Sequence, residues 1–290
     1  MNFKRLEKLL ARPQAPVLTD QQLYEFDLRG FITIKNFLSQ ELVDEMNAVI
    51  DQQLNGLTPK KFPFFEWSPL FMDLAAHPVI LKICEHLLGE WFRLDHVMGV
   101  QAAPTKHVPP AKDGELHAGP YENQRSFSYN WFDGRSYLGL LTFSIPLFST
   151  RVGQGGLTLL PGSHKQNFKK RGAQVWQELK EDPEKKELLL YTPDLDAGDL
   201  LFFTEACIHG STPWMSENAW RRNLYYKYCP GNMAWRKHEE IRKYLPLARN
   251  DVERRLLEPP FVGGYDENPN NIKEGEEWPN QWRKTTLEGV

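Results

Sequence analysis

Residues 197–211, AGDLLFFTEACIHGS, combine a turn, an apolar run and a histidine in fifteen positions. Ala197-Gly198-Asp199 is typical of a turn, and the run that follows it is typical of a buried strand. The run ends at His209, which stands beside the small residues Gly210 and Ser211. Imidazole is a common ligand of iron, zinc and copper. This stretch therefore predicts a strand that carries a histidine to the wall of a cavity.

Similar short runs recur through the second half of the chain and indicate the fold class. Runs typical of strands occupy residues 92–100, 137–147, 156–162, 199–206 and 222–229, with turn residues between them. Short strands at this spacing favour a sandwich or jelly roll over a wound α/β sheet. We expect one domain over residues 1–290, with a helical N-terminal layer at about 1–90, a β-rich core at about 91–230 and a wrapping segment at 231–290. The predicted fold class is mainly β with flanking helices.

The N-terminal layer contains clear helix signals. Residues 30–37, GFITIKNF, alternate as a strand does, and Ser39 then caps a helix whose apolar residues recur on one face. Pro78 begins a further helix that Gly89 ends. Residues 173–190 are predicted to form one helix with exposed Lys and Glu.

Composition excludes several classes of protein. The 290 residues are 41% hydrophobic and 25% charged with a net charge of −3, which gives no basic footprint for nucleic acid. Three widely spaced cysteines favour a reducing compartment over a disulfide framework. The N-terminus has no continuous apolar run of a signal peptide or membrane span. We expect a cytoplasmic protein with a small-molecule partner and no membrane or nucleic-acid partner.

Two further stretches supply residues for a site. His117 follows a polar loop that contains three prolines, and residues 220–230, WRRNLYYKYCP, begin a strand with two arginines. Strand alternation sends Arg221 and Arg222 to opposite faces. An inward guanidinium needs an anionic partner, and its planar fork suits the carboxylate of a small dicarboxylic acid. The outward arginine is interpreted as an ordinary exposed strand end.

Four motifs in order resemble the phytanoyl-CoA dioxygenase family of iron(II)- and 2-oxoglutarate-dependent oxygenases. Over roughly residues 22–230 they are LYEFDLRGFITIKNFLSQELVDEM, GGLTLLPGSHK, AGDLLFFTEACIHGS and RRNLYYKYCP. The resemblance implies a double-stranded β-helix, the cupin-like jelly roll, with iron(II), 2-oxoglutarate and O2 as cofactors and cosubstrates. It implies that His117 and His209 bind the metal and that Arg221 binds the far carboxylate of 2-oxoglutarate. His164 matches a residue that orders a turn in the family, and Arg222 keeps the exposed interpretation.

One position departs from the family. His-x-Asp is the usual motif, and here the chain has His117-Ala118-Gly119. Glycine or alanine at this position distinguishes the halogenases of this class, because a halide takes both the space and the negative charge of the aspartate. The resemblance thus implies an enzyme that activates a C–H bond of a small organic molecule and transfers halide, with chloride at the position that Gly119 leaves open.

Three alternatives stay open at Gly119. Water fills the gap and the two-histidine site hydroxylates; or a carboxylate from elsewhere completes the site; or the protein is a non-catalytic ligand-binding member of the fold. The candidate carboxylates are Asp113, Glu115 and Glu205, which lie near the two histidines in sequence.

Aromatic residues after Pro120 and near His209 suggest the wall of a substrate pocket. They include Tyr129, Trp131, Phe132 and Trp214. Asn130 lies among them and is a candidate for contact with the cofactor.

Overall fold

The computed structural model describes residues 18–111, 113–117, 128–132, 135–166 and 170–261, and only the backbone of Arg135. Gly119 and both ends of the predicted single domain lie outside these residues. Two packed sheets, a two-stranded hairpin and the helices that cover the sheets form the described part of the chain.

The helices of the N-terminal layer begin and end at the predicted signals. Ser39 accepts a hydrogen bond from the backbone N–H of Leu42 and caps the second helix. Pro78 occupies the first turn of the fourth helix, and Gly89 follows its last residue. The four helices described here are α1 (Asp20–Arg29), α2 (Gln40–Leu54), α3 (Pro69–Ala75) and α4 (Pro78–Leu88).

The strands form a six-stranded sheet, a three-stranded sheet and a hairpin. The strands are β1 (Phe31–Ile34), β2 (Lys61–Phe62), β3 (Phe92–Ala102), β4 (Glu115–His117), β5 (Asn130–Phe132), β6 (Arg135–Tyr137), β7 (Leu141–Pro146), β8 (Gly156–Leu159), β9 (Leu200–Thr204), β10 (His209–Thr212) and β11 (Arg221–Pro230). The larger sheet has the order β1-β9-β7-β11-β3-β2, the smaller one β4-β10-β8, and β5 pairs with β6. Neighbouring strands in all three run antiparallel.

Alternate residues of β9 show how the two sheets stack. Leu200 and Phe202 belong to the main core with the helices. Leu201 and Phe203 point the other way and pack against Leu159 of the smaller sheet. Since side chains alternate between the faces of a strand, the larger sheet is buried on both sides, by helices on one and by the smaller sheet on the other.

The helix predicted over residues 173–190 is wrong in one respect, because the structure has two helices there. These are α5 (Gly172–Lys180) and α6 (Pro183–Leu189). Pro183 has no N–H to continue the first helix, and the Asp182 side chain instead caps the second by accepting from the N–H of Lys185. The chain breaks into two helices where a proline follows a capping residue.

The C-terminal segment forms short helices against the body. They are α7 (Glu239–Arg242) and α8 (Asp251–Leu256), with a 3-10 turn at Leu245–Leu247. The three cysteines are free and buried. In the part of the chain that the structure describes, every helix is too short or too polar to cross a membrane.

Candidate metal and dicarboxylate site

The two candidate metal histidines lie opposite each other on adjacent strands. His117 at the end of β4 is the register partner of His209 at the start of β10. Their ring centroids are 4.4 Å apart. Directly opposed residues of an antiparallel pair present their side chains on the same face. Residues 92 positions apart in sequence are therefore brought to one point by strand pairing.

His209 is held in one orientation by its surroundings. Its Nδ1 lies 2.8 Å from the carbonyl oxygen of Cys207, and its ring lies against Phe203. A carbonyl can only accept, so Nδ1 carries the proton and Nε2 keeps its lone pair. Burial lowers the pKa of His209 to about 4, although Glu205 opposes the shift. His209 is therefore a neutral imidazole at pH 7 with Nε2 available to a metal ion.

His117 is exposed at the end of β4, but desolvation of its ring beside the other site residues acts in the same direction. It lowers the pKa of His117 below its ordinary value, while the charge of Glu205 works against the change. Both imidazoles are thus neutral near pH 7, which is the form that binds metals.

Glu205 follows strand β9 of the larger sheet, and its carboxylate lies beside the histidine pair. Its Oε2 lies 3.6 Å from Nε2 of His209. Its other oxygen, Oε1, accepts from Nζ of Lys227 at 2.6 Å and from the hydroxyl of Thr142 at 2.5 Å. Burial would raise the pKa of Glu205, but the Lys227 ammonium and His209 outweigh it and hold that pKa well below its usual range. Glu205 is ionised and one of its oxygens faces His209.

The other carboxylates named from sequence lie elsewhere. Asp113 accepts from the indole N–H of Trp176, which places it toward α5. Glu115 is exposed on β4, two residues before His117. Of these three candidates, only Glu205 comes within 4 Å of a site histidine.

Arg221 points into the space beside the smaller sheet. It is 5% exposed, and its guanidinium donates weakly to the hydroxyls of Ser211 at 3.5 Å and Tyr225 at 3.3 Å. Among the described residues no Asp or Glu oxygen lies within the 4.0 Å of an ion pair with it. A buried guanidinium without a carboxylate is costly, so this arrangement indicates an anionic ligand.

Gly156 of β8 leaves the space in which the Arg221 guanidinium lies. It has a φ of +95°, and a Cβ on it would come within 3.0 Å of Nε of Arg221. Glycine adopts this backbone conformation readily and leaves room for the arginine to lie against the strand.

Arg222 faces away from Arg221, as alternation predicts, but it is not an exposed strand end. It is 4% exposed and donates to Asp51 at 2.7 Å and Asn47 at 2.8 Å, both on α2. Gln101 of the neighbouring strand accepts a further bond. The interpretation as a solvated residue is wrong because α2 packs over this face of the sheet and provides a complete set of partners.

The remaining candidate positions are Asn130 and Gly119. Asn130 is exposed on the β5–β6 hairpin, and within the described chain no contact joins it to the histidines or to Arg221. Gly119 lies outside the described residues, so its space and neighbours stay a prediction.

His164 and two aromatic residues have structural roles. His164 Nε2 bonds the carbonyl of Asp27, and its ring packs edge-on against Tyr129. Tyr129 donates to the Asp27 carboxylate, and the indole of Trp214 donates to the carbonyl of Ala219. These contacts agree with the turn-ordering role expected for His164, and they assign Tyr129 and Trp214 to packing rather than to a pocket wall.

Sequence reasoning missed Lys227 and Ser211. Lys227 stands six positions after Arg221 on β11 and Ser211 two after His209 on β10, so each shares a face with a candidate residue. Counting in even steps from Arg221 and His209 is the signal that finds both.

The residues present fit a divalent metal with two ligands in place. Nε2 of His209 has a free lone pair, His117 lies opposite on β4, and Oε2 of Glu205 lies 3.6 Å from Nε2 of His209. Among the described side chains no group of three or more His, Cys, Asp or Glu already stands arranged around one metal position. The histidine pair is therefore a two-ligand site in this conformation.

Comparisons with known proteins identify the family of the chain. A model of the phytanoyl-CoA dioxygenase family matches residues 26–223. A 1-deoxypentalenic acid 11-beta-hydroxylase of Streptomyces exfoliatus is 26% identical over 242 residues, which cover 70% of this chain and 78% of that protein.

Two solved structures share the fold. HygX from Streptomyces hygroscopicus, with nickel and 2-oxoglutarate bound, matches with a TM-score of 0.63 at 21% identity and covers 76% of this chain and 90% of its own. The non-heme alpha ketoglutarate dependent epimerase SnoN from nogalamycin biosynthesis matches with a TM-score of 0.52 at 18% identity, over 80% and 85%. These matches confirm the predicted jelly roll.

Proposed function

The chain belongs to the phytanoyl-CoA dioxygenase family, and we propose that it is an iron(II)- and 2-oxoglutarate-dependent oxygenase that hydroxylates a small organic molecule. The observation that carries the proposal is the buried guanidinium of Arg221. It has no carboxylate partner among the described residues, and it lies on the side of the fold that holds the histidine pair.

His117 and His209 would hold iron(II) through their Nε2 atoms. Iron(II) held there would supply the reaction with O2 in which 2-oxoglutarate loses CO2 and becomes succinate. In this reaction one oxygen atom of O2 would enter succinate and the other would convert a substrate C–H bond to C–OH. The fixed ring of His209 would keep its Nε2 directed at the metal.

Arg221 would bind the far carboxylate of 2-oxoglutarate, with the Ser211 and Tyr225 hydroxyls beside it. Ser211 follows His209 by two residues on the same strand, which separates the two Cα atoms by about 6.7 Å. Since Ser211 contacts Arg221, the guanidinium lies beside the position of β10 that is one strand repeat from the metal histidine. A five-carbon dicarboxylate spans a gap of this size with one end at the metal and the other at Arg221.

Hydroxylation rather than halogenation is supported by the name of the Streptomyces exfoliatus relative. It is also supported by Glu205, which brings a carboxylate to within 3.6 Å of His209. Halogenation remains the second candidate because the motif His117-Ala118-Gly119 lacks the aspartate. In that reaction chloride replaces the hydroxyl group in the product, and the second oxygen atom leaves as water.

The test is formation of succinate from 2-oxoglutarate by purified protein. We expect succinate only when iron(II) and O2 are both present, and more of it when an accepted substrate is added. The first substrate to try is 1-deoxypentalenic acid, the compound that the Streptomyces exfoliatus relative hydroxylates. Mass spectrometry of the product distinguishes a gain of oxygen from a gain of chlorine. A protein that forms no succinate under any of these conditions contradicts the proposal and favours a binding module.

Chloride provides the second arm of the test. An oxygenase gives the same hydroxylated product with and without chloride. A halogenase gives a chlorinated product when chloride is present, and Gly119→Asp abolishes it.

A further inference from the structure

Glu205 follows strand β9 directly and lies between the histidine pair and Lys227. We propose that Glu205 supplies the carboxylate ligand that position 119 lacks, so that His117, His209 and Glu205 hold the metal together. The proposal rests on the proposed function, since it presupposes a divalent metal at the histidine pair.

The bonding of Glu205 leaves one oxygen for this role. Its side chain is 11% exposed, and both of its strong hydrogen bonds, from Lys227 and Thr142, go to Oε1. Oε2 is directed at Nε2 of His209, the atom that carries the lone pair. Lys227 and Thr142 thus fix the carboxylate by one oxygen and present the other.

Asp95 shows how a buried carboxylate is bonded when its role is structural. Its Oδ2 accepts from Arg93 and from the N–H of Trp235, and its Oδ1 contacts His96 and accepts from the N–H of Arg236. Both oxygens of Asp95 are therefore saturated. Glu205 differs because its Oε2 faces Nε2 of His209, a nitrogen that carries a lone pair and has no proton to donate.

The separation of the two atoms suits a shared metal ion. Imidazole nitrogen and carboxylate oxygen each bind first-row divalent metals at about 2.1 Å. Two such ligands on one ion lie about 3.0 Å apart at a right angle and about 4.2 Å apart when opposite. The observed 3.6 Å is about 0.6 Å longer than the right-angle separation of a facial three-ligand site, so the two donor atoms must approach by that amount when the ion binds. Because the described residues contain no completed three-ligand group, binding of the ion must also move these side chains so that the donor atoms of His117, His209 and Glu205 reach one point.

The experiment measures the affinity of the full chain for Ni(II) by calorimetry without 2-oxoglutarate or O2, so the readout is independent of activity. We expect Glu205→Gln to weaken Ni(II) binding by about 100-fold or more, beyond the loss typical of groups that only orient ligands. Glu115→Gln is the matched control. It removes an exposed carboxylate two residues from His117 and should change the affinity less than about 3-fold, as expected for a screened charge.

A second variant separates a ligand from a fold-stabilising ion pair. Glu205→Gln removes the ion-pair partner of the largely buried Lys227, which destabilises the fold. The double variant Glu205→Gln/Lys227→Met removes both charges, and thermal unfolding checks that it folds. If Glu205 is a ligand, this variant still binds Ni(II) weakly, and adding Gly119→Asp restores the affinity.

Two results overturn the proposal, and they differ in what else they affect. Wild-type affinity in the folded double variant would show that Glu205 only neutralises Lys227, and the proposed function would stand. A wild-type protein that binds no Ni(II) would contradict the proposed function and the Glu205 proposal together.

Discussion

The two faces of strand β11 carry similar residues in opposite situations. On the helix side, Arg222 is bonded to Asp51 and Asn47, and the Tyr226 hydroxyl donates to the carbonyl of Phe71. On the interior side, the hydrogen bonds of the Arg221 side chain within the described residues go to two hydroxyl groups, at 3.3 and 3.5 Å. Both arginines are equally buried, at 5% and 4% exposed.

The difference teaches how to separate structure from function among buried charges. A protein satisfies a buried polar group when that group holds the fold together. Burying a cation that has only weak hydrogen-bond partners destabilises the fold. A protein retains such a cation where a ligand binds it, so the lost stability is typical of functional sites. Completeness of bonding, rather than burial, distinguishes Arg221 from Arg222.

The largest expected effect is on cosubstrate binding. Arg221→Gln should weaken 2-oxoglutarate binding by about 100-fold or more, because truncating one member of a buried charge pair costs about 2–5 kcal/mol. Arg222→Gln is the matched control and should change the affinity less than about 3-fold, since Arg222 lies on the other face. Calorimetric titration of the metal-loaded protein without O2 measures both. Equal losses in the two variants would break the comparison.

Stability should respond in the reverse order. Arg222→Gln should lower the free energy of unfolding by about 2 kcal/mol, since it removes charge-assisted bonds to Asp51 and Asn47. Arg221→Gln should leave this free energy unchanged or raise it, because it removes a poorly partnered buried charge. Urea unfolding of the proteins without 2-oxoglutarate provides the values. A destabilised Arg221→Gln would mean that its two hydroxyl contacts support the fold.

A smaller effect is expected from the strand that seats the arginine. Gly156→Ala places a Cβ 3.0 Å from Nε of Arg221 and should weaken 2-oxoglutarate binding by about 10-fold, since small misplacements at charged sites carry such costs. Gly153→Ala is the control. Gly153 also has a positive φ, of +87°, but a Cβ there meets nothing within 4 Å.

Both glycine variants should lose similar stability from the backbone strain, and only Gly156→Ala should lose affinity. The same binding titration and urea unfolding separate the two quantities. Equal affinity in both variants would mean that Arg221 is positioned by other contacts.

The smallest effect comes from single hydroxyl groups on the two faces. Tyr226→Phe should lower the free energy of unfolding by about 1 kcal/mol, because the Phe71 carbonyl loses its buried donor. Tyr225→Phe should change stability little and weaken 2-oxoglutarate binding by about 3-fold, the value of a weak hydrogen bond near a charge. If the comparison holds, urea unfolding shows a loss of stability in Tyr226→Phe alone, and calorimetry shows a loss of 2-oxoglutarate affinity in Tyr225→Phe alone. Matching losses in either measurement would contradict it.

Local signals predicted much of the fold from sequence. The cap at Ser39, the helix from Pro78 to the residue before Gly89 and the main strands depend on short-range patterns of polarity and turn residues. The split of the predicted helix at 173–190 is also local, since Pro183 interrupts it, but the apolar pattern continues across the break.

Long-range features of the site were only partly predictable. The family resemblance named His117 and His209, but only strand register places them face to face. The burial of Arg222 depends on α2, which no pattern in residues 220–230 contains. The position of Glu205 beside His209 depends on the turn between β9 and β10, so sequence alone left three carboxylates as candidates.

The most direct test of the central claim is the anaerobic visible spectrum of the protein with iron(II) and 2-oxoglutarate. Chelation of iron(II) by 2-oxoglutarate in such sites gives a charge-transfer band. We expect the band only when both are present, with Arg221→Gln requiring about 100-fold more 2-oxoglutarate than Arg222→Gln to reach half its intensity. No band in the wild-type protein at saturating iron(II) and 2-oxoglutarate would contradict the assignment of His117, His209 and Arg221 to one active site.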